Sequence, residues 1–193
     1  MVCSLWSVVP VGIRKRLWIV KKNVRVPRVI ALTQGDPGGI GPEILVKALL
    51  AEKPSGRVAY LVIGTREVFK TLCLKTGLWA PFKALPSVTR GSFRAGHIYF
   101  LDISKEVPGG GTFQIGTLCP ENGRLALAAI AKAAALAKQG IVDAIVTAPV
   151  NKAAVRLVDK KFIGHTEFLA EHAKARRFAM MFVSPRLKVT LAT

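Results

Sequence analysis

Four short runs of continuous apolar character recur along the chain, with stretches of a different periodicity between them, and this alternation limits the fold more than any other feature. The runs are Arg28 to Thr33 (RVIALT), Val58 to Ile63 (VAYLVI), His97 to Ile103 (HIYFLDI) and Asp143 to Thr147 (DAIVT). A run that is apolar at nearly every position reads as a strand buried on both faces, the habit of parallel sheets. Between the runs apolar residues return at helical spacing: Ile44, Leu45, Ala48 and Leu49 after the first, then Val68, Phe69, Leu72 and Cys73 after the second. A third helix, Glu121 to Gln139, is rich in alanine, apolar almost all round and stopped by Gly140. Strand alternating with helix predicts an α/β architecture with a largely parallel sheet.

Local signals refine the pattern. Pro42 suits the first turn of a helix, and Thr65 suits the N-cap of the next. The alanine helix has small side chains, so it should pack closely on two sides, between sheet and partner helix or across a subunit interface. Ala80 to Arg94, interrupted by Pro81, Pro86 and Gly91, reads as irregular structure with one strand, and Pro108 to Gly111 as a flexible loop. Phe178 to Val183 and Leu187 to Ala192, joined by Ser184-Pro185-Arg186, predict a hairpin.

The chain of 193 residues is long enough for one substantial domain, and its formal charge of +18 raises the question of a polyanionic partner. Seven of the basic residues lie in Met1 to Arg28, which holds no acid, so residues 1–27 read as a basic, poorly ordered leader outside the domain at 28–193. In the remainder the basic residues are dispersed, without the aromatic interleaving of a single-strand binder, so an anionic small substrate is expected rather than nucleic acid. Cys3, Cys73 and Cys119 are widely spaced and form neither a disulfide framework nor a zinc motif, which fits a reducing cytoplasm. No apolar run is long enough to span a membrane, and the leader places its apolar part before its charges, the reverse of a secretory signal.

Polar loops at strand ends carry the candidate chemistry, since ligands of open α/β sheets bind beyond the carboxyl ends of strands. Gln34 to Glu43 (QGDPGGIGPE) follows the first strand and opens a helix. It offers either N–H groups for an anion or only a tight turn; it is not a dinucleotide fingerprint, and Asp36 complicates anion binding. Asn151 and Lys152 follow the fourth strand; Lys152 could hold an anion as a point charge, and Asn151 either caps a helix or contacts substrate. His165 and Thr166, in Gly164-His165-Thr166-Glu167-Phe168, lie at the start of a further helix, where Thr166 or a neighbour would be the cap. That position suits phosphate or carboxylate, or a structural cap with a partly buried imidazole. His97 and His172 are read as structural or solvent-facing.

With these residues in view, the chain resembles the amino-terminal part of the PdxA family, the 4-hydroxythreonine-4-phosphate dehydrogenases. The resemblance rests on TQGDPGGIGPE (Thr33 to Glu43), ENGRLAL (Glu121 to Leu127), VTAPVNK (Val146 to Lys152), GHTEF (Gly164 to Phe168) and the MMFVSPRLKVTLAT ending. It implies the two-domain fold of isocitrate and isopropylmalate dehydrogenases, here incomplete. It also implies NAD-dependent oxidation and decarboxylation of 4-phosphooxy-L-threonine, a divalent metal (zinc, magnesium or cobalt) and a homodimer. The family's substrate-binding His and Thr fall on His165 and Thr166, and Asn151 and Lys152 match a neighbouring pocket loop. No catalytic, metal or NAD-binding residue carries over, because the family's three metal histidines and most of its NAD site lie in a carboxyl-terminal half that is not in this sequence. The expectation is therefore an incomplete polypeptide, inactive alone. Two other readings stand beside it: a PdxA-like enzyme of 4-phospho-threonate or 4-phospho-erythronate, and a noncatalytic basic fragment binding anions or nucleic acid.

Overall fold

The computed structural model describes residues 27–191 apart from 53, 55, 86 and 87, so the basic leader lies outside the described residues except for Pro27. Five strands form one parallel sheet: β1 (Arg28–Thr33), β2 (Val58–Gly64), β3 (Lys83–Ala84), β4 (Ile98–Asp102) and β5 (Ala144–Thr147). Their order across the sheet is β3-β4-β2-β1-β5. From β1 the chain adds β2, places β3 at the far edge, returns to insert β4 between β2 and β3, and then crosses to lay β5 on the other side of β1.

The continuous apolar runs are explained by helices on both faces. Val29 and Ala31 of β1, Leu61 and Ile63 of β2 and Ile145 of β5 point to the face covered by α3 (Pro120–Lys138). Leu32 and Val62 point to the opposite face, against Leu45, Val46 and Leu49 of α1 (Gly41–Ala51) and Val68 and Phe69 of α2 (Arg66–Thr76). Each α-carbon step along a strand turns the side chain over, so a strand covered twice must be apolar at successive positions.

The alanine-rich α3 is buried on two sides, as its composition demands. Leu125, Ala129, Ile130 and Ala133 meet the sheet, while Ala126 joins Val155 of α4 (Lys152–Arg156) and Phe162 in a separate cluster. At Gly123 the approach is closest: a methyl there would collide with the backbone carbonyl of Ala154. Of the two packings expected for α3, sheet on one side and partner helix on the other is the one present. α5 (His165–Ala173) follows, and then the expected hairpin, β6 (Met181–Val183) paired antiparallel with β7 (Lys188–Thr190) apart from the main sheet.

At the amino ends of the strands Arg90 forms a knot. Its guanidinium donates to both carboxylate oxygens of Asp143 (2.7 and 3.1 Å) and to the carbonyls of Ile141 and Pro27, and Asp143 also accepts the Val29 N–H at 2.6 Å. The chemistry lies at the other end of the sheet.

Candidate anion-binding site

The reversal of strand order between β1 and β5 leaves a crevice at their carboxyl ends, where Thr33 and Thr147 stand in register. Two loops close over it. The Asp36 N–H donates to the Pro149 carbonyl at 2.9 Å, joining the glycine loop after β1 to the loop after β5.

The glycine loop is occupied by its own packing. Gly35 has φ +74°, and a methyl on it would strike the Pro149 carbonyl; one on Gly38 would strike the Asn122 side chain and the Gln114 carbonyl. Asp36 accepts the Gly38 N–H at 2.9 Å, which sets a carboxylate beside the amino end of α1 where an anion would otherwise sit. The contacts of the glycines and Asp36 are those of a tight turn. Pro42 lies in the first turn of α1, as its fixed φ favours.

Two residues that the sequence reading gave no role complete this packing. Asn122 is fully buried; its amide accepts the Gln114 N–H at 3.0 Å and donates to the Gln114 and Thr117 carbonyls at 2.7 and 3.0 Å. Gln34, also fully buried, lies against Gly64 and accepts the Thr65 N–H at 2.8 Å. Thr65 does stand at the N-cap of α2, but its hydroxyl caps nothing; the Gln34 amide reaches across from β1 and takes the backbone N–H instead. Position in ENGRLAL could have marked Asn122, since an amide at a helix start is a loop-binding group. Nothing local marks Gln34, whose partner is 31 residues away.

The second loop divides its polar groups differently. Asn151 caps α4, its Oδ1 accepting the N–H groups of Ala153 and Ala154 at 3.0 and 3.3 Å, so that oxygen is committed to the backbone. Lys152 is exposed and free of any ion pair among the described residues. After α4 the chain is returned by Arg156, which donates to the Phe162 carbonyl at 3.0 Å, and by burial of the Phe162 ring. This turn brings Gly164 against Lys152: a methyl on Gly164 would lie 3.5 Å from Lys152 Nζ and 3.1 Å from a Glu167 carboxylate oxygen.

His165 begins α5 at the same corner. Gly164, not Thr166, is the N-cap, and Thr166 is the second residue of the helix; the extended backbone of Gly164 starts the helix two residues earlier than the threonine would. The imidazole packs edge-on against Phe162, and its Nε2 is buried with no hydrogen-bond partner among the described residues. Burial lowers the His165 pKa below its ordinary value, the Lys152 charge lowers it further, and Glu167 opposes both. A neutral imidazole, an ammonium and the first N–H groups of α5 therefore converge on one corner, with Glu167 at its rim. Such a set can grip a phosphate or carboxylate and orient it.

His172 is stacked on Phe168 at 4.1 Å and bonded to its carbonyl, and His97 lies beside Tyr99, so neither joins the site. Among the described residues no three His, Cys, Asp or Glu side chains are grouped to hold a metal. The residues present therefore do not fit a metal centre, and the glycine loop, filled by its own contacts, does not fit a dinucleotide cradle. Among them, too, no helix is long and apolar enough to cross a membrane.

The class of protein defined so far is an α/β domain with a doubly covered parallel sheet and a candidate anion corner beyond the carboxyl ends of its strands. The comparisons narrow it. The family model described as pyridoxal phosphate biosynthetic protein PdxA matches residues 57–193, and the chain belongs to this family. It is 36% identical over 162 residues to a D-threonate 4-phosphate dehydrogenase of Pectobacterium atrosepticum, covering 84% of this chain and 49% of that protein. It is 34% identical over 165 residues to a 4-hydroxythreonine-4-phosphate dehydrogenase of Desulfosudis oleivorans, covering 86% of this chain and 48% of the relative. Among solved structures, a 4-hydroxythreonine-4-phosphate dehydrogenase of Klebsiella pneumoniae superposes with a TM-score of 0.70 at 33% identity, over 84% of this chain and 50% of that one. The chain thus spans about half the length of the relatives it matches.

Proposed function

We propose that the corner formed by Lys152, His165 and Thr166 binds the anionic end of a four-carbon, 4-phosphorylated hydroxy acid, as the substrate-holding part of a PdxA-type dehydrogenase. The observation that carries this reading is the placement of the unpartnered His165 Nε2 and the unpaired Lys152 at one corner beside the amino end of α5. In its finer form the substrate is 4-phosphooxy-L-threonine, oxidised at its 3-hydroxyl with NAD and then decarboxylated to 3-amino-2-oxopropyl phosphate. The names of the relatives favour a second substrate, D-threonate 4-phosphate, equally phosphorylated but without the amino group.

NAD, a divalent metal and a second subunit belong to this reading as partners of the whole enzyme. Among the described residues no three His, Cys, Asp or Glu side chains are grouped to hold a metal, and the part this reading assigns to the chain is binding and orientation. Lys152 would neutralise the anion, the α5 N–H groups would fix its oxygens, and the Thr166 hydroxyl would add a hydrogen bond. His165, neutral before binding, would take up a proton as a dianion approaches.

Isothermal titration of the 193-residue chain with both phosphorylated acids tests the reading. Both should bind, Lys152→Gln and His165→Asn should each weaken binding about tenfold, and the better ligand names the substrate. Absence of binding, or binding indifferent to both substitutions, would overturn it. NADH formation by this chain alone, with metal and NAD added, would contradict the restriction to binding.

A further inference from the structure

At the edge of the sheet farthest from the β1/β5 crevice, α2, β3 and β4 line a half-open cavity of about 120 Å³. Its lining consists of Arg66, Phe69, Trp79, Phe82, Lys83 and Phe100. The Phe82 ring sits among the other three, its centroid 5.6 Å from Phe69, 5.3 Å from Trp79 and 5.2 Å from Phe100. Phe69 and Phe100 also meet edge-on at 5.3 Å.

An aromatic cluster that served only as core would close on itself, because interiors pack to crystal density and voids cost contacts. Here the rings pack edge-on against one another and the pocket opens beside them, with Trp79 46% exposed. An apolar cavity of about 150 Å³ is known to accept benzene, so a space of this size suits one six-membered ring and nothing with a backbone attached.

The charged part of the lining is of one sign. Arg66 is the first residue of α2, and its Nε lies 3.6 Å from Asp102. That pair is loose: Asp102 also accepts the N–H groups of Ser104 at 3.0 Å and Arg66 at 3.4 Å, and the Arg66 side chain is 58% exposed. Lys83 has no ion pair among the described residues, and no carboxylate lines the cavity. A guanidinium and an ammonium at the mouth of an aromatic space call for a ligand that is flat and apolar at one end and anionic at the other.

We infer that this cavity is a binding site for a one-ring aromatic anion, with the ring lying against the Phe69, Trp79, Phe82 and Phe100 cluster and the anionic group facing Arg66 and Lys83. The site shares no residue with the anion corner, and the inference does not depend on the reading of that corner.

The test uses the full chain with Trp6 and Trp18 changed to Phe, so that Trp79 is the sole tryptophan, titrated with benzoate and, separately, phenyl phosphate. Saturable quenching of Trp79 fluorescence is expected, with an affinity on the order of 1 mM for so few atoms. Arg66→Gln and Lys83→Gln, both on exposed side chains and checked for folding by circular dichroism, should each weaken binding severalfold. Uncharged benzyl alcohol and non-aromatic butyrate should bind about tenfold more weakly than benzoate. Quenching that fails to saturate, or that is equal for benzoate and benzyl alcohol and unmoved by both substitutions, would overturn the assignment. Saturation by butyrate as tightly as by benzoate would overturn the aromatic part of it.

Discussion

The two loops that meet above β1 and β5 look alike in sequence and differ in what their polar groups touch. Each follows a strand, each contains proline and each opens a helix. In the glycine loop Gly35 accommodates the Pro149 carbonyl, Gly38 accommodates Asn122 and Asp36 holds a loop N–H, while the Gln34 Nε2 at its start is buried without a hydrogen-bond partner among the described residues. In the loop from Ala148 to Lys152, continued by Gly164 and His165, Asn151 is consumed as a cap, while Lys152 has no ion pair and the His165 Nε2 no hydrogen-bond partner among the described residues. Unpartnered buried polar atoms thus remain beside both loops, and among the described residues the unpaired charge of Lys152 is what sets the second apart.

Gly35→Ala should give the largest effect on the packed side of this contrast. It combines a left-handed backbone with a collision against a carbonyl that cannot swing away, for a cost of about 3 kcal/mol. A urea midpoint that did not move would mean that the loop yields, and that its glycines are not there for packing. Asn122→Ala comes next, at about 2 kcal/mol, because it leaves the Gln114 N–H and two carbonyls unpaired around a buried site. Hydrogen exchange at Gln114 should accelerate in that variant while the β2 amides stay protected.

On the other loop the stability effects shrink. Asn151→Ala removes a cap with two N–H partners and should cost about 1 kcal/mol by urea unfolding. Asn151→Ser, which restores an acceptor, should recover most of it. A tenfold loss of phosphorylated-acid binding in the serine variant would move Asn151 from the structural to the ligand side of the comparison.

The parts of this picture readable in sequence are those set by periodicity. Strands covered on both faces must be apolar at successive positions, so β1, β2, β4 and β5 announce themselves, and so does α3, whose alanines need two close neighbours. β3 is legible only as one strand within Ala80 to Arg94, because two residues beside β4 leave no pattern that fixes its place. Asn151 was readable as one of two roles, and the structure selects the cap. His165 was readable as a candidate, but its depressed pKa depends on Phe162, Lys152 and Glu167 being folded around it. The α5 cap was misjudged because threonine is a better capping residue than glycine, whereas the extended Gly164 backbone decided the helix start. The Gln34–Thr65 bond and the Phe69–Phe82–Phe100 cavity join residues far apart in the chain, which no local rule reaches.

The smallest effect on stability should come from Lys152→Gln, and it is the sharpest test of the comparison. The side chain is exposed and unpaired, so unfolding at pH 8 should shift by no more than about 0.5 kcal/mol. Its charge, however, is one of the two causes that hold the His165 pKa below 6.5. A histidine with a lowered folded pKa binds fewer protons in the native state than in the unfolded one. Stability therefore falls as pH drops below about 6.5, and the loss stops growing below the folded pKa. Removing Lys152 should raise the His165 pKa, followed by the imidazole C–H resonances, and shrink that acid-side loss; Glu167→Gln should do the opposite. A bound phosphate dianion should act in the same direction as Lys152→Gln, raising the His165 pKa and making affinity increase as pH falls towards 6. If the imidazole titrates identically with Lys152, without it and with ligand, then the two loops are alike after all, both of them packing.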